Sequence, residues 1–188
     1  MSKLIYVTNI TLDGYIEDEH GTFDLFPPSD EVFASTTEIL TSTGTFLYGR
    51  RLYETMAVWE TEPALAAQSE LTAEFATAWQ TADKVVYSTS LTTAPTPRTR
   101  IEHHFDPTAV RQLKAAAQRD LMIGGAHLAS QALAAGLVDE CRLYVWPGTV
   151  GKGKPGLPTD IRLTLELVDE RRFSNGVLLL TYSPAGAL

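Results

Sequence analysis

A chain of 188 residues has the length of one domain. Its 44% hydrophobic and 20% charged residues are enough to build a buried core without disulfides or metal ions. The net charge of −8 argues against a nucleic-acid-binding protein, because binding a phosphate backbone requires clustered lysine and arginine. A local basic pocket could still hold a single phosphate group.

Cys141 is the only cysteine, which rules out an internal disulfide and fits a cytoplasmic protein. Residues 1–9 are too short and too polar to predict a signal peptide or a transmembrane helix. His103 and His104 fall on a predicted strand and would point to opposite faces, so they predict no metal site. We therefore expect a soluble cytoplasmic protein without a metal ion.

Strands alternate with helices through the first part of the chain. The predicted strands are residues 4–10, 45–48, 84–87, 100–105 and 121–123. The predicted helices are residues 30–41, 51–58, 62–82, 107–119 and 126–135. Residues 21–29, which include Pro27 and Pro28, predict a loop before the first helix.

The last part of the chain has a different pattern. Residues 139–146, 161–168 and 176–182 predict three strands with no helix between them. The glycine- and lysine-rich residues 147–158 predict a mobile hairpin loop. Together the segments predict an α/β fold with a central mixed, mostly parallel sheet, flanking helices and antiparallel C-terminal strands.

Three predicted strands end in residues that suit an anion, and ligands of open α/β sheets bind beyond the carboxyl ends of the strands. The first of these strands ends at Gly49, which Arg50 and Arg51 follow. We expect Gly49 to allow a sharp turn, the next helix to offer unpaired N–H groups, and the arginines to bind a phosphate. The alternative is a pair of solvated surface arginines.

The second strand end carries two successive glycines. Gly124 and Gly125 are followed by Ala126 and His127. The absence of two side chains would let a pyrophosphate approach the backbone and the start of the next helix. The pattern is neither the spaced-glycine dinucleotide motif nor a Walker loop, and an ordinary tight turn is the alternative.

The third strand end carries two hydroxyls. Ser88 and Thr89 could donate to a phosphate or a ribose, although both residues are also common in turns. Three such strand ends would suit a molecule that has both a pyrophosphate and a separate phosphate. NADPH is such a molecule, and we predict that it is the cofactor.

Five short motifs give the chain a resemblance to a known superfamily. They are TLDGYI at residues 11–16, GRRLYE at 49–54, IGG at 123–125, LVDE at 137–140 and GKGKP at 151–155. The chain resembles the superfamily shared by dihydrofolate reductase and the reductase domain of the bifunctional riboflavin-biosynthesis deaminase–reductase. It is most similar to small stand-alone members of that reductase-domain family. The resemblance implies a dihydrofolate reductase-like fold with about eight strands, NADPH as cofactor and a homodimer.

The resemblance also implies where the cofactor lies. It places the adenosine phosphates near Arg50 and Arg51 and the 2′-phosphate beside Ser88 and Thr89. It places the pyrophosphate against Gly124, Gly125, Ala126 and His127, and the nicotinamide against backbone groups of Ile10 and Ile16.

Two departures from the family pattern leave the substrate open. The riboflavin-pathway enzyme has a substrate-contacting Glu just before its paired glycines, where this chain has Ile123. It has an Asp-Pro and Arg segment where this chain has RRLY at residues 50–53. The resemblance therefore implies a small pyrimidine- or pterin-like heterocyclic substrate without specifying the phosphoribosylamino-pyrimidine.

Reducing an imine or a carbonyl requires a proton as well as a hydride. Dihydrofolate reductase holds its pterin with a carboxylate on the first helix, and Asp30 or Glu31 falls near that place. Either carboxylate could have its pKa raised by burial and orient a substrate nitrogen, or both could only stabilise the helix N-terminus. Tyr15 and Tyr53 are alternative proton donors.

The predicted function is NADPH-dependent reduction of a pyrimidine- or pterin-like heterocycle. Dihydrofolate reduction is the alternative among enzymes. A catalytically silent NADPH-binding protein and a structural dimer module that binds no nucleotide are the alternatives from other classes.

Overall fold

The computed structural model describes residues 2–23 and 29–185. Its strands are β1 Leu4–Thr11, β2 Tyr15–Asp18, β3 Thr43–Gly49, β4 Asp83–Tyr87, β5 Thr99–Glu102, β6 Asp120–Gly124, β7 Glu140–Trp146, β8 Gly153–Pro155, β9 Leu165–Arg172 and β10 Leu178–Pro184. Its helices are α1 Asp30–Ser42, α2 Arg50–Thr61, α3 Pro63–Ala66, α4 Glu70–Thr81, α5 Pro107–Ala116 and α6 Ala126–Ala134. Pro27 and Pro28 of the predicted loop lie outside the described residues.

The main sheet has eight strands in the order β5-β4-β3-β6-β1-β7-β10-β9. The strands from β5 to β7 are paired in parallel. β10 pairs antiparallel with β7 and with β9, which is the edge strand. The predicted fold class, with a mostly parallel sheet and antiparallel C-terminal strands, is confirmed.

Helices cover both faces of this sheet. α1, α2 and α4 pack on the face that we call the first face, and α5 and α6 pack on the second. Successive residues of a strand therefore enter different cores: Phe46 and Tyr48 pack on the first face, and Leu47 between them packs on the second. Burial on both sides explains why the parallel strands are nearly continuous apolar runs.

Two predicted elements differ from the structure. The predicted helix at residues 62–82 is interrupted, because Ser69 forms a capping box with Thr72 that begins α4 as a new helix. The predicted strand at residues 161–168 lies later in the chain, at β9. Ile161 and Leu163 pack against the second-face core from an irregular segment, so their apolar spacing reflects anchoring and not sheet pairing.

The prediction of a mobile hairpin loop at residues 147–158 is wrong. Residues of this segment form β8, which pairs antiparallel with β2. The Asp13 carboxylate accepts hydrogen bonds from the backbone N–H groups of Val150 and Gly151, the latter at 2.8 Å. The Tyr6 hydroxyl donates to the carbonyl of Gly156 at 2.6 Å. These contacts hold the segment against the end of β1.

A buried carboxylate is held at the start of β7. Glu140 pairs with Lys3 and accepts a hydrogen bond from Arg142 Nη2 at 2.8 Å. Burial alone would raise the pKa of Glu140, but the hydrogen bonds and charges of these two basic neighbours lower it overall.

None of the helices in the described part of the chain has the length and apolar character that a bilayer crossing requires.

Candidate functional site

A crevice opens between the carboxyl ends of β1 and β6. Tyr6 is paired with Ile123, and β6 ends one residue later at Gly124, whereas β1 continues to Thr11. Over its last five residues, from Val7 to Thr11, β1 is therefore paired with β7 alone. The connection from β1 to β3 contains α1, which packs on the first face, and the connection from β6 to β7 contains α6, which packs on the second. Adjacent strands whose connections leave on opposite faces create the crevice where α/β proteins bind ligands.

The three predicted strand ends lie side by side. Strand pairing sets Tyr48 opposite Gly124 and Gly49 opposite Tyr87. The residues that follow β3, β4 and β6 therefore meet at one edge of the sheet, next to the crevice. The structure brings the predicted anion-binding segments together.

Two of the helices that begin at this edge have free N-termini. α2 begins after Gly49 and α6 begins after Gly125, and neither has a side-chain cap within the described residues. The other helices of similar length are capped by Ser29, Ser69 and Asp106. Uncapped N–H groups and the helix dipole make such N-termini suitable for an anion.

The three glycines at this edge differ in what they require. Gly125 has a φ of +90°, which favours glycine. A Cβ at Gly124 would come within 2.4 Å of Leu52 Cδ2, so a side chain at this position would require the Leu52 side chain to shift. At Gly49 the chain passes directly from β3 into α2, as predicted, but its φ of −75° is a conformation that any residue adopts, so this turn does not require glycine. The space where a Cβ of Gly49 or Gly125 would lie is open.

The two arginines that follow Gly49 are both exposed but differ in their partners. Arg50 pairs with Glu54 one turn later in α2, at 3.3 Å. Within residues 2–23 and 29–185, Arg51 has no ion pair. The guanidinium of Arg51 is therefore the one available to an anion without breaking another contact.

Ser88 and Thr89 have different surroundings. Ser88 is buried, and its hydroxyl oxygen accepts hydrogen bonds from the N–H groups of Ser90 at 3.2 Å and Leu91 at 3.0 Å. Its carbonyl lies 3.0 Å from His103 Nδ1. Thr89 is exposed. Ser88 thus closes the turn after β4, and Thr89 presents its hydroxyl to solvent.

The remaining predicted cofactor residues lie around the crevice. Ala126 is buried in the first turn of α6, and His127 is exposed beside it. The side chains of Ile10 and Ile16 pack against Gly156, where a Cβ would come within 2.5 Å and 3.1 Å of their Cγ2 atoms. Gly156, which follows β8, therefore lies against Ile16 of β2 and against Ile10 in the part of β1 that β6 leaves open.

A cavity of about 740 Å³ lies between the first face of the sheet and helices α1, α2 and α4. It reaches the crevice at Thr8, Asn9 and Gly124. Most of its wall is apolar or aromatic, and the residues of that kind are Val7, Val32, Phe33, Leu40, Tyr48, Leu52, Met56, Trp59, Leu71, Phe75, Met122, Tyr144 and Trp146. Its size and lining are those of a small-molecule site.

The two predicted catalytic carboxylates are placed differently. Asp30 lines the cavity at the first residue of α1. Glu31 is not part of the lining and accepts hydrogen bonds from the backbone N–H of Ser174, at 2.8 Å, and from its hydroxyl. These hydrogen bonds lower the pKa of Glu31. The alternative donors Tyr15 and Tyr53 also lie outside the lining, and the Tyr53 hydroxyl is hydrogen-bonded to Thr96.

The cavity also contains polar groups that sequence reasoning missed. The Asn9 carboxamide accepts a hydrogen bond from the Trp146 indole at 2.9 Å, and the Tyr144 hydroxyl lies 3.0 Å from Ser35 Oγ. The buried Tyr48 hydroxyl forms no hydrogen bond of normal geometry with the described residues. Burial raises the pKa of Tyr48 and of Tyr144, so both are neutral donors at physiological pH. Tyr48 lies next to the end of β3, and this position was the available signal for it; Asn9 and Tyr144 lie within their strands.

The chain matches the RibD C-terminal domain family over residues 2–179. It belongs to that family. The predicted family is thereby confirmed over nearly the whole chain. Among curated relatives, the Bacillus subtilis (strain 168) protein YyaP, described as uncharacterized, is 29% identical over 193 residues, which cover 96% of this chain and 94% of the relative.

Solved structures share the fold at low sequence identity. A Shewanella sp. PV-4 protein, provisionally named a riboflavin biosynthesis protein, has a TM-score of 0.76 at 17% identity, with 98% of this chain and 99% of that chain covered. The Thermotoga maritima diaminohydroxyphosphoribosylaminopyrimidine deaminase/5-amino-6-(5-phosphoribosylamino)uracil reductase has a TM-score of 0.64 at 16% identity, with 98% of this chain and 57% of that chain covered. Acinetobacter baumannii RibD has a TM-score of 0.66 at 18% identity, with 98% and 58% covered.

Proposed function

We propose that the protein is an NADPH-dependent reductase of a pyrimidine- or pterin-like heterocycle. One observation carries this proposal: two helix N-termini without side-chain caps, and an arginine without an ion pair among the described residues, meet at the sheet edge where the cavity opens. The edge offers an anion site, and the cavity beside it offers room for an apolar ring. The family membership and the name of the Thermotoga protein support a reductase.

The residues at the edge fit the phosphates of NADPH. The start of α6 would bind the pyrophosphate, because Gly125 leaves open space there and its N–H groups are uncapped. Arg51 would bind the 2′-phosphate together with the Thr89 hydroxyl. Arg50 would add positive charge nearby while keeping its ion pair with Glu54. When bound, NADPH supplies a hydride at its nicotinamide ring.

The nicotinamide end has its own candidate site. The crevice side of β1 is unpaired beyond Tyr6, and backbone groups of a strand face its two neighbours alternately. Leu4 and Leu12 bond on the β7 side, so Ile10 also faces β7, and the backbone of Asn9 is the one that can hydrogen-bond a carboxamide in the crevice. Ile16 and the β2–β8 pair cover this end and exclude water from it. The reducing end of the cofactor would then face the cavity through the opening at Thr8, Asn9 and Gly124.

Asp30 is our candidate for holding the substrate and its proton. Its carboxylate is the acidic group in the described cavity lining, and it can accept a hydrogen bond from a ring N–H. Glu31 would have a structural role only, because the hydrogen bond that its carboxylate accepts from the backbone N–H of Ser174 holds α1 against the turn there.

Turnover tests this proposal. NADPH absorbance should fall when the protein is mixed with a dihydropterin or an aminopyrimidine, and the Asp30→Asn variant should lose most of that rate. Oxidation with dihydrofolate would favour dihydrofolate reduction. Saturable NADPH binding without oxidation, across pyrimidine and pterin substrates, would instead indicate a silent NADPH-binding protein.

A further inference from the structure

We infer that the cavity takes a planar heterocycle that carries no phosphate and no other anionic group. This inference rests on the proposed function and narrows its substrate class. It differs from the substrate printed in the name of the Thermotoga protein, which is a phosphoribosylamino compound.

The charge of the lining is the first argument. The chain has 15 lysine and arginine residues, and none of them is among the described residues that line the cavity. Among the described residues that line the cavity, Asp30 is the only one with a carboxylate. Residues 24–28, which precede α1 in the sequence, contain no lysine or arginine either. A phosphate inside the cavity would therefore meet a like charge and no cation.

The helix N-termini at the cavity give the second argument. α1 and α4 both begin at the lining, and there the side chains of Ser29 and Ser69 already accept hydrogen bonds from backbone N–H groups. Each helix also has acidic residues in its first turn: Asp30 and Glu31 in α1, and Glu70 in α4. Carboxylates at these positions occupy the favourable end of the dipole and repel a further anion.

The contrast with the sheet edge is informative. The uncapped N-termini of α2 and α6 lie at the edge together with Arg50 and Arg51, where the proposed cofactor binds. Anion-binding groups are thus concentrated at the edge and excluded from the cavity. The described cavity lining therefore offers a substrate no phosphate site in addition to the one at the sheet edge.

The aromatic residues of the wall suit a flat ring. Phe33 and Phe75 stack with their ring centroids 4.6 Å apart, and Trp59 lies 4.6 Å from Phe75. Such aromatic walls bind planar rings by stacking. The cavity of about 740 Å³ would have room for a sugar phosphate, so selection against phosphate comes from charge and not from size.

Two matched ligand pairs test the inference on the NADPH-loaded protein. One pair is 5-amino-6-(ribosylamino)uracil and its 5-phosphate, and the other is a hydroxyalkyl dihydropterin and its phosphate ester. Binding is followed by quenching of tryptophan fluorescence, because Trp59 and Trp146 both line the cavity. We expect the unphosphorylated member of at least one pair to bind, and to bind at least about tenfold more tightly than its ester.

Equal or tighter binding of a phosphate ester would overturn the inference, and so would failure of all four ligands to bind a protein that still binds NADPH. If the protein does not bind NADPH at all, that result would instead count against the proposed function.

A matched pair of variants tests the cause. Gln68 is exposed and lines the cavity, so Gln68→Arg adds a cation there and Gln68→Met keeps the size without the charge. The preference is the Kd of the phosphate ester divided by the Kd of its unphosphorylated partner. Gln68→Arg should lower this ratio at least about threefold, and Gln68→Met should leave it unchanged. An unaltered preference in Gln68→Arg would show that charge is not what excludes the phosphate and would overturn the inference.

Discussion

Replacing Arg51 with alanine should weaken NADPH binding far more than NADH binding. The two cofactors differ in the 2′-phosphate, and the Arg51 guanidinium has no ion pair with the described residues, so its whole charge is available to that group. Losing a hydrogen bond to a charged group costs about 1.5–3 kcal/mol. This corresponds to a Kd for NADPH that is roughly 10- to 150-fold higher.

Arg50 provides an internal comparison. Its guanidinium is shared with Glu54 at 3.3 Å, and both side chains are about half exposed, at 47% and 49%. Part of its charge is already compensated, so Arg50→Ala should raise the Kd for NADPH less than Arg51→Ala does. Exposed ion pairs contribute little to stability, so neither substitution should lower the melting temperature appreciably.

Calorimetric titration of each variant with NADPH and with NADH measures these differences. Arg111→Ala is a matched control, because Arg111 donates to the carbonyl of Ala135 beyond the C-terminal end of α6, away from the helix start. Equal losses for NADPH and NADH in Arg51→Ala, or a loss as large in Arg111→Ala, would refute the assignment of a 2′-phosphate site.

Three further predictions test the backbone, the catalytic assignment and the electrostatics. Gly125→Ala should cost about 1–3 kcal/mol of unfolding free energy because of its φ of +90°, whereas Gly49→Ala, at a φ of −75° with open space around it, should be nearly neutral in chemical denaturation. Asp30→Asn should reduce turnover about 100-fold or more with little change in NADPH affinity, whereas Glu31→Gln should stay close to wild type in the same assay, since Glu31 does not line the cavity. Glu140→Gln should be destabilised at neutral pH. Because the pKa of Glu140 is lowered below its ordinary value of 4.5 on folding, this difference should shrink in thermal unfolding as the pH falls through and below 4.5.

The sequence predicted the arrangement of the strand ends because that arrangement follows from local rules. Parallel strands present their carboxyl ends to one edge, so the residues after Tyr48, Tyr87 and Ile123 had to converge if the sheet was parallel. The same local reasoning overestimated Gly49, since a glycine in sequence does not reveal its φ. The expectation of a homodimer remains a prediction.

The cavity could not be predicted in the same way, because its wall combines residues from four strands and three helices. The choice between Asp30 and Glu31 shows the difficulty. Adjacent helical residues point about 100° apart and can therefore meet different surroundings, and the sequence does not state the rotation of the helix. The contact of Glu31 with Ser174, 143 residues away, settles that rotation.

The predicted loop at residues 147–158 illustrates a long-range effect of another kind. Its glycines are typical of a mobile hairpin, yet a Cβ at Gly153 would come within 1.8 Å of the Glu17 carbonyl oxygen. This glycine therefore permits close pairing of β8 with β2. Composition alone does not distinguish glycine that provides flexibility from glycine that permits close contact.

Calorimetric titration of the unmodified protein with NADPH tests the central claim most directly, which is that the edge formed by β3, β4 and β6 binds this cofactor. The account predicts saturable heat with one NADPH per chain, accompanied by a higher melting temperature. A titration that gives neither heat nor thermal protection would contradict it.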